Sequence, residues 1–493
     1  LRVRLTTLLD VLPDVQWEGP ADTSVSEIAY DSRLVTPGTL FVAVPTVGQD
    51  ANSGGVRFWR EAAERGAVAA VVPADAEDIG MPVVRVPDAR AALADLSSRF
   101  FNYPSHQLRL FGITGTDGKT TSAYLTEQIF SHAGACTGLL GTVETKVGGE
   151  RSRNPERMTT PESLDLQRLL REMVERGVTH AALEASSHAL VLQRLRGCRF
   201  EAAGLTNITG DHVEFHGSWE AYVVAKQSLF TQAAPGRPAV LNRDDDSYPG
   251  IAQAVTGLLI SYSTERGDAD IVATDIAVGP TGTTFRLSRG NHSAPVSFPL
   301  LGRFNVSNAL LAAGLALAAE IDLQTIAEAL SHASPPPGRQ ERIRAGQPFE
   351  VVIDYAHTPH AFHSILSTAR AFTRGRLIVV FGAAGNRDRA KRPLLAQIAG
   401  RYADRAVVTN EDPFGEDPEA IIDEILAGVP AGALGTRFIR EPDRGRAIEA
   451  AMRDAGPGDT VLILGKGHER SIVANGRNEA WSDAEAVRDA LPA

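Results

Sequence analysis

The stretch Gly112-Ile113-Thr114-Gly115-Thr116-Asp117-Gly118-Lys119-Thr120-Thr121 constrains this chain more than any other. A run of small residues ending in Gly-Lys-Thr-Thr suits a loop that wraps phosphates. Its glycines let backbone N–H groups converge on oxyanions, Lys119 brings a fixed positive charge, and Thr120 offers a hydroxyl to Mg2+. The apolar run Leu108–Phe111 predicts a buried strand leading in, and Ser122–Ala133 predicts a helix leading out. The helix N-terminus would then face the phosphates. The spacing departs from the general P-loop, which wants a glycine at the position held by Ile113; the glycines here fall at 112, 115 and 118. The plainer alternative is a glycine-rich strand-to-helix turn with no nucleotide. The adopted reading is ATP or a relative, met by Gly115, Thr116, Asp117, Gly118, Lys119, Thr120 and Thr121.

A chain of 493 residues is too long for one core, so two to four domains are expected. The net charge of −11 argues against a nucleic-acid-coating or membrane-surface protein, while leaving room for a basic pocket that takes an anion. No apolar run approaches about 18 residues, and no leader is legible, so neither a membrane partner nor secretion is expected. The two cysteines, Cys136 and Cys198, have no metal-type spacing. They read as small buried residues in a reducing, cytoplasmic protein. The chain opens on Leu1, which points to a trimmed or unusual start.

Punctuation divides the chain into three segments, 1–103, 104–336 and 337–493. The first alternates short strands (Leu40–Val44, Ala69–Val72, Val83–Val86) with helical patches such as Val56–Arg65, and ends at Phe101-Asn102-Tyr103-Pro104. The second holds the phosphate loop and further strands at Ala181–Glu184, Ala203–Thr206 and Ala239–Asn242, each with polar residues at its C-terminal end. Ligands of open α/β sheets bind at that edge. A proline-rich stretch, Ser331–Gly338, marks the next boundary. Strands at Glu350–Asp354, Leu377–Phe381, Ala406–Thr409 and Thr460–Leu464 follow. Three consecutive α/β domains are therefore expected, the middle one a P-loop-type ATPase and the last Rossmann-like.

Several constellations stand on the middle segment's strand ends: Glu184-Ala185-Ser186-Ser187-His188, Thr206-Asn207 through Asp211-His212, His216, and Ala225-Lys226. Glu184 could hold Mg2+ directly or through water, though a solvated strand-end glutamate would look the same. With these motifs the chain resembles the Mur ligases, ATP-dependent amide-forming enzymes of peptidoglycan precursor synthesis, and within them the muramyl-tripeptide synthetase (MurE-type) branch. Further markers are Asp31-Ser32-Arg33, Thr159-Thr160-Pro161, Gly302–Asn308, Pro337-Gly338-Arg339, Asp354–Pro359, Asn386-Arg387-Asp388 and Gly465-Lys466-Gly467-His468-Glu469. Each short marker is weak alone; their order and spacing together are specific, and they span nearly the whole chain.

The resemblance implies a reaction in which a substrate carboxylate attacks the γ-phosphate of ATP. An amine then displaces phosphate from the acyl phosphate, and positioning and charge neutralisation dominate. It implies catalytic roles for Lys119, His212 and Lys226, and Mg2+ contacts from Thr120, Glu184 and His212. Lys226 would be carbamylated (N6-carboxylysine), because an ammonium repels the metal that a carbamate can serve. Asn305, Asn308, Arg339 and Asp354 would contact ATP. Ser32, Thr159, Thr160, Ser186 and Arg194 would hold UDP-N-acetylmuramoyl-L-alanyl-D-glutamate, with caps and turns as the structural alternative for the hydroxyls. Arg387, Glu411, Asp412, Phe414, Gly465 and Glu469 would meet the free amino acid. A monomer that closes its domains around the substrates is expected.

The substrate-bearing departures lie in the third segment. Enzymes of this family that add meso-diaminopimelate carry Asp-Asn-Pro-Arg where this chain has Glu411-Asp412-Pro413-Phe414. Replacing that arginine by Phe414 removes a bidentate partner for a distal carboxylate. Glu411 and Asp412 would suit an ammonium, so L-lysine or L-ornithine is expected, with meso-diaminopimelate as the alternative. Leu192 stands where a glutamine is frequent, His360 where an aspartate is common, and Gly48–Ser53 lacks the usual Asp-Gly-His run. Another Mur-type or folylpolyglutamate-type ligase, or a regulatory nucleotide-binding protein, are the competing readings.

Overall fold

The computed structural model describes every residue except 1, 14, 21, 47–52, 78–79, 155–157, 211–212 and 492–493. His212 and the segment 48–52 thus lie outside the described residues.

Each of the three large sheets draws its strands from one continuous stretch of chain. The first has the order Gln16–Glu18, Val83–Val86, Ala69–Pro73, Thr39–Val42, Glu27–Ala29, parallel except at the Gln16–Glu18 edge. Helix Ala89–Phe100, capped by Asp88, covers one face with Ala92, Leu93 and Leu96. The expected helix over 56–65 is split into a 3-10 turn, Gly54–Phe58, and a short helix, Trp59–Glu64. At the segment boundary Asn102 and Tyr103 both take positive φ, 59° and 48°, which turns the chain sharply into the middle unit.

The middle sheet has eleven strands. Arg109–Thr114 lies at its centre, between His180–Glu184 and Ala202–Leu205, and all three run parallel. Consecutive strands depart to opposite sides of Arg109–Thr114, so a crevice opens at its C-terminal end, where α/β sheets bind ligands. Both faces are covered. Phe111, Phe130, Leu310 and Leu311 pack on one side, and Leu110, Leu183, Phe200 and Leu229 on the other. Full burial of one such phenylalanine contributes roughly 2–3 kcal/mol. Helix Arg303–Ala318 is apolar around its circumference, which suits its position in the interior against helix Lys119–His132.

Two antiparallel extensions were not anticipated: the hairpin Glu144–Val147/Glu150–Arg153, and the meander Ile271–Gly279, Gly282–Arg289, His292–Phe298. In the meander Thr283, Phe285 and Leu287 are buried while their neighbours face solvent. Cys136 is exposed and Cys198 half-buried, which corrects the expectation that both are core residues. Cys136 falls in the loop before strand Thr137–Leu140, ahead of that strand's burial.

The third sheet is parallel in the order Glu350–Asp354, Thr460–Leu464, Leu377–Phe381, Arg405–Val408, Phe438–Arg440, with a short antiparallel edge at Glu341–Arg342. Asp354, Ala384, Glu411 and Gly465 all lie at the C-terminal ends of these strands.

Candidate active site

The C-terminal edges of the middle and third sheets face one another across a cleft of about 900 Å³. The phosphate loop forms its floor. Gly115 (φ 144°) and Gly118 (φ 84°) explain the unusual glycine spacing. A side chain at 115 would strike Thr206, and one at 118 would strike Asn308. Gly118 is the N-cap of helix Lys119–His132, so the helix begins three residues before the predicted Ser122 and its first turn carries Lys119, Thr120 and Thr121. That puts the N–H groups of the helix's first turn and the lysine at one point. Lys119 Nζ folds back on the carbonyls of Gly115 (3.0 Å) and Thr116 (2.8 Å).

Beside the loop, Thr120 Oγ1 donates to Glu184 Oε2 at 2.9 Å, and Thr142 N donates to Glu184 Oε1 at 2.9 Å. Glu184 is fully buried, yet its hydrogen-bond partners among the described residues are all neutral. A buried carboxylate that accepts from neutral donors, next to a hydroxyl, is a hard-oxygen donor set that fits Mg2+. No cluster of three or more His, Cys, Asp or Glu residues able to hold a metal occurs among the described residues. Mg2+ commonly takes one or two protein oxygens and completes its shell with phosphates and water, so the two facts agree. Lys226 is buried; its Nζ donates to Gly115 O at 2.6 Å and stands 4.5 Å over the Tyr222 ring. The Tyr222 hydroxyl lies 2.9 Å from Thr116 Oγ1.

Toward the first unit, Thr159, Ser186 and Arg194 line the cleft. Ser186 also caps helix Ser187–Val191, and Arg194 pairs with Glu162 at 3.3 Å. Thr160 lies behind this wall, with its hydroxyl donating to Glu184 O at 2.7 Å. Ser32 is outside the cleft lining; it is buried against Glu61, with Oγ donating at 2.7 Å.

On the third unit, the Arg339 guanidinium stacks on the Tyr355 ring (4.2 Å), and Asp354 accepts from the backbone N–H groups of Gln340 and Ala356. Burial pushes the Asp354 carboxyl up, against the opposing pull of Arg339. Asn305 and Asn308 are hydrogen-bonded to each other and, through Asn305, to Gln340. Asn308 abuts Gly118, which puts it beside the phosphate loop.

At the far end, Arg387 stacks over Phe414 (5.2 Å). Phe414 has φ 52°, a conformation strained for a bulky residue, and is held by hydrogen bonds of its N–H and C=O to Val473 and Asn475. The expected pairing of Glu411 and Asp412 as a joint acidic receptor is modified by Lys466. Its buried Nζ bonds Asp412 (2.9 Å) and Glu469 (2.5 Å). Glu411 is left with a buried Oε2 that has no hydrogen-bond partner among the described residues, and burial pushes its carboxyl up. Gly465 lies against it, where a Cβ would strike the Glu411 carboxylate. Lys466, Thr142 and Tyr222 were not anticipated as site residues. Only Lys466 carried a signal, its place within the Gly465–Glu469 run.

Comparison with known proteins agrees with this geometry. The Mur ligase middle domain matches residues 113–316, and the Mur ligase, glutamate ligase domain matches residues 338–467. The chain belongs to the Mur ligase family. It falls on the tripeptide synthetase branch: the UDP-N-acetylmuramyl-tripeptide synthetase of Roseiflexus sp. (strain RS-1) is 42% identical, covering 99% of each chain. The UDP-N-acetylmuramoyl-L-alanyl-D-glutamate--2,6-diaminopimelate ligase of Bacillus licheniformis is 41% identical over 99% of each. A solved 2,6-diaminopimelate ligase of the same description superposes with a TM-score of 0.69 at 32% identity, covering 99% of both chains. No described helix is long and apolar enough to cross a membrane.

Proposed function

We propose that the cleft joins a free diamino acid to the D-glutamate of UDP-N-acetylmuramoyl-L-alanyl-D-glutamate, with ATP converted to ADP and phosphate through an acyl phosphate. The observation that carries this reading is one continuous cleft lined by the phosphate loop, Glu184, Arg194, Arg387 and Glu469. In it, segment 1–103 takes the uridine end, 104–336 the ATP, and 337–493 the amino acid. Lys119 neutralises β/γ oxygens, and Arg339 and Asp354 approach the nucleotide from the third unit. Thr120 and Glu184 hold Mg2+, which offsets phosphate charge when bound. As a carbamate, Lys226 would supply a carboxylate-like oxygen donor in place of an ammonium, and its buried Nζ beside Gly115 O puts that group next to the phosphate loop. His212 joins the metal set on the family resemblance alone. Action as a monomer is part of this reading, and the nucleotide substrates suit the cytoplasm.

For the amino acid, the relatives' names favour 2,6-diaminopimelate over the lysine or ornithine expected from the motif. Arg387 at the cleft mouth remains available to a carboxylate. Phe414 favours the second reading, L-lysine or L-ornithine, because it brings no charge where a distal carboxylate would lie. A panel of amino acids in an ATP-dependent ligation assay separates the two. Preference for meso-diaminopimelate carries the first reading, and preference for lysine or ornithine replaces it with the second. Phe414→Arg should raise the efficiency with diaminopimelate by about 10-fold or more.

A further inference from the structure

Asp117, at the turn of the phosphate loop, extends its carboxylate to the third unit. Oδ2 lies 3.2 Å from His360 Nδ1, and both oxygens lie 3.4 Å from Thr358 Oγ1. Thr358 is the N-cap of helix Pro359–Phe372, its Oγ1 accepting from Ala361 N at 3.1 Å. The carboxylate therefore sits at the positive end of a 14-residue helix with an imidazole at its side. The backbone of Asp117 is held from below: its N–H donates to Asn207 Oδ1 (3.0 Å), and its C=O accepts from Thr206 Oγ1 (2.6 Å). The turn of the loop is thus fixed to the middle sheet on one side and gripped by the third unit on the other.

A carboxylate inside a loop that must receive a polyanion opposes its own ligand unless something offsets it. Resting on the ATP reading above, we propose that His360 is a positioning residue that offsets Asp117 and docks the third unit onto the phosphate loop in the arrangement that accepts ATP. The family resemblance expects an aspartate at 360, which would set two carboxylates together; the ion pair is a property of this chain's histidine. The groups facing the pair are consistent. His360 meets Asp117 and, more distantly, Asp245, and its pKa is raised, chiefly by the hydrogen bond to Asp117. Asp117 meets His360, His357 and Lys119, and also the Asp354 carboxylate of the third unit; the hydrogen bond from His360 and the nearby positive groups outweigh the upward push of burial and hold its pKa below the ordinary value. Because the His360 pKa is raised, the docking contact is strongest at pH below its titration and weakens as pH rises through it.

The test is steady-state kinetics in ATP for the full-length wild type, His360→Asn, His360→Asp, Asp117→Asn and the Asp117→Asn/His360→Asp double variant, each checked for an unchanged thermal melt. The His360 side chain is 50% exposed, so the effect is modest. His360→Asp should raise KM for ATP by about 3- to 10-fold with a smaller change in kcat, as expected for a partly screened pair. The double variant should recover most of that loss, since the repulsion is gone. The wild-type fall in kcat/KM for ATP with rising pH should be missing in His360→Asn. An unchanged KM in His360→Asp, or a double variant as impaired as His360→Asp, overturns the clamp. A wild type that turns over no ATP with any amino acid overturns the function itself.

Discussion

Lys466 Nζ lies 2.9 Å from Asp412 Oδ1 and 2.5 Å from Glu469 Oε2, with the lysine side chain wholly buried. One ammonium therefore holds together two of the carboxylates expected to face the incoming amino acid. It ties strand end 464 to strand end 408, and it sets which acid remains open, namely Glu411. Removing Lys466 while keeping its bulk, as in Lys466→Met, takes the buried ammonium away from both Asp412 and Glu469. A loss of about 3–5 kcal/mol is expected. Urea denaturation measures it, and a stability near wild type would show that Asp412 is reached by water.

Glu184→Gln keeps the shape and one acceptor for Thr142 N, turns an amide NH2 toward the Thr120 and Thr142 hydroxyls, and removes the charge proposed to hold Mg2+. The fold should survive, and phosphate release should fall on the order of 10²–10³-fold, the scale of losing a charge-stabilising group. Phosphate release across a Mg2+ titration, beside a thermal melt, checks this. Activity close to wild type at ordinary Mg2+ would move the metal site elsewhere.

Lys226→Ala should be inactive, and bicarbonate should fail to restore it. In the wild type, 13C-labelled carbon dioxide should give a carbamate resonance that the variant lacks. Full activity in the variant would remove Lys226 from the reaction.

Acid should loosen the third unit through Arg392. Its buried guanidinium donates to both oxygens of Glu416 at 2.9 Å and to Glu424 at 2.8 Å. These bonds, with the N–H of Asn386, hold the Glu416 carboxyl down at about 2, against an ordinary 4.5. A depressed folded-state pKa gives stability that is complete above the ordinary value and is lost as pH falls toward the folded one. The melting temperature should drop between these two pH values, and Arg392→Met should flatten that slope while lowering stability at neutral pH. An identical slope in the variant would assign the acid sensitivity to other carboxylates.

Much of the site was legible because phosphate chemistry writes itself locally. Gly115, Gly118, Lys119 and Thr120 lie within six residues, and the strand and helix that flank them have clear periodicities. Glu184 could be suspected for the same reason, as a polar residue ending an apolar strand. The antiparallel meander at 271–298 was missed although Thr283, Phe285 and Leu287 alternate, since a half-solvated alternation is a weaker signal than a buried run. Ser32, expected at the uridine end of the UDP substrate, stands outside the cleft lining with its hydroxyl donating to Glu61, 29 residues away.

The residue order alone determined the α/β class, the three successive sheets and the phosphate loop, since strand and helix periodicity, chain punctuation and the loop's residue types are local signals. Only the tertiary structure decided that Lys466 sequesters Asp412, that Phe414 is held in a left-handed turn against Val473 and Asn475, and that Asp117 docks on His360. The pairs Lys466–Asp412, Phe414–Asn475 and Asp117–His360 are separated by 54, 61 and 243 residues. Charge pairing at such range depends on which strand ends meet and on what burial does to each group, and neither is carried by local pattern.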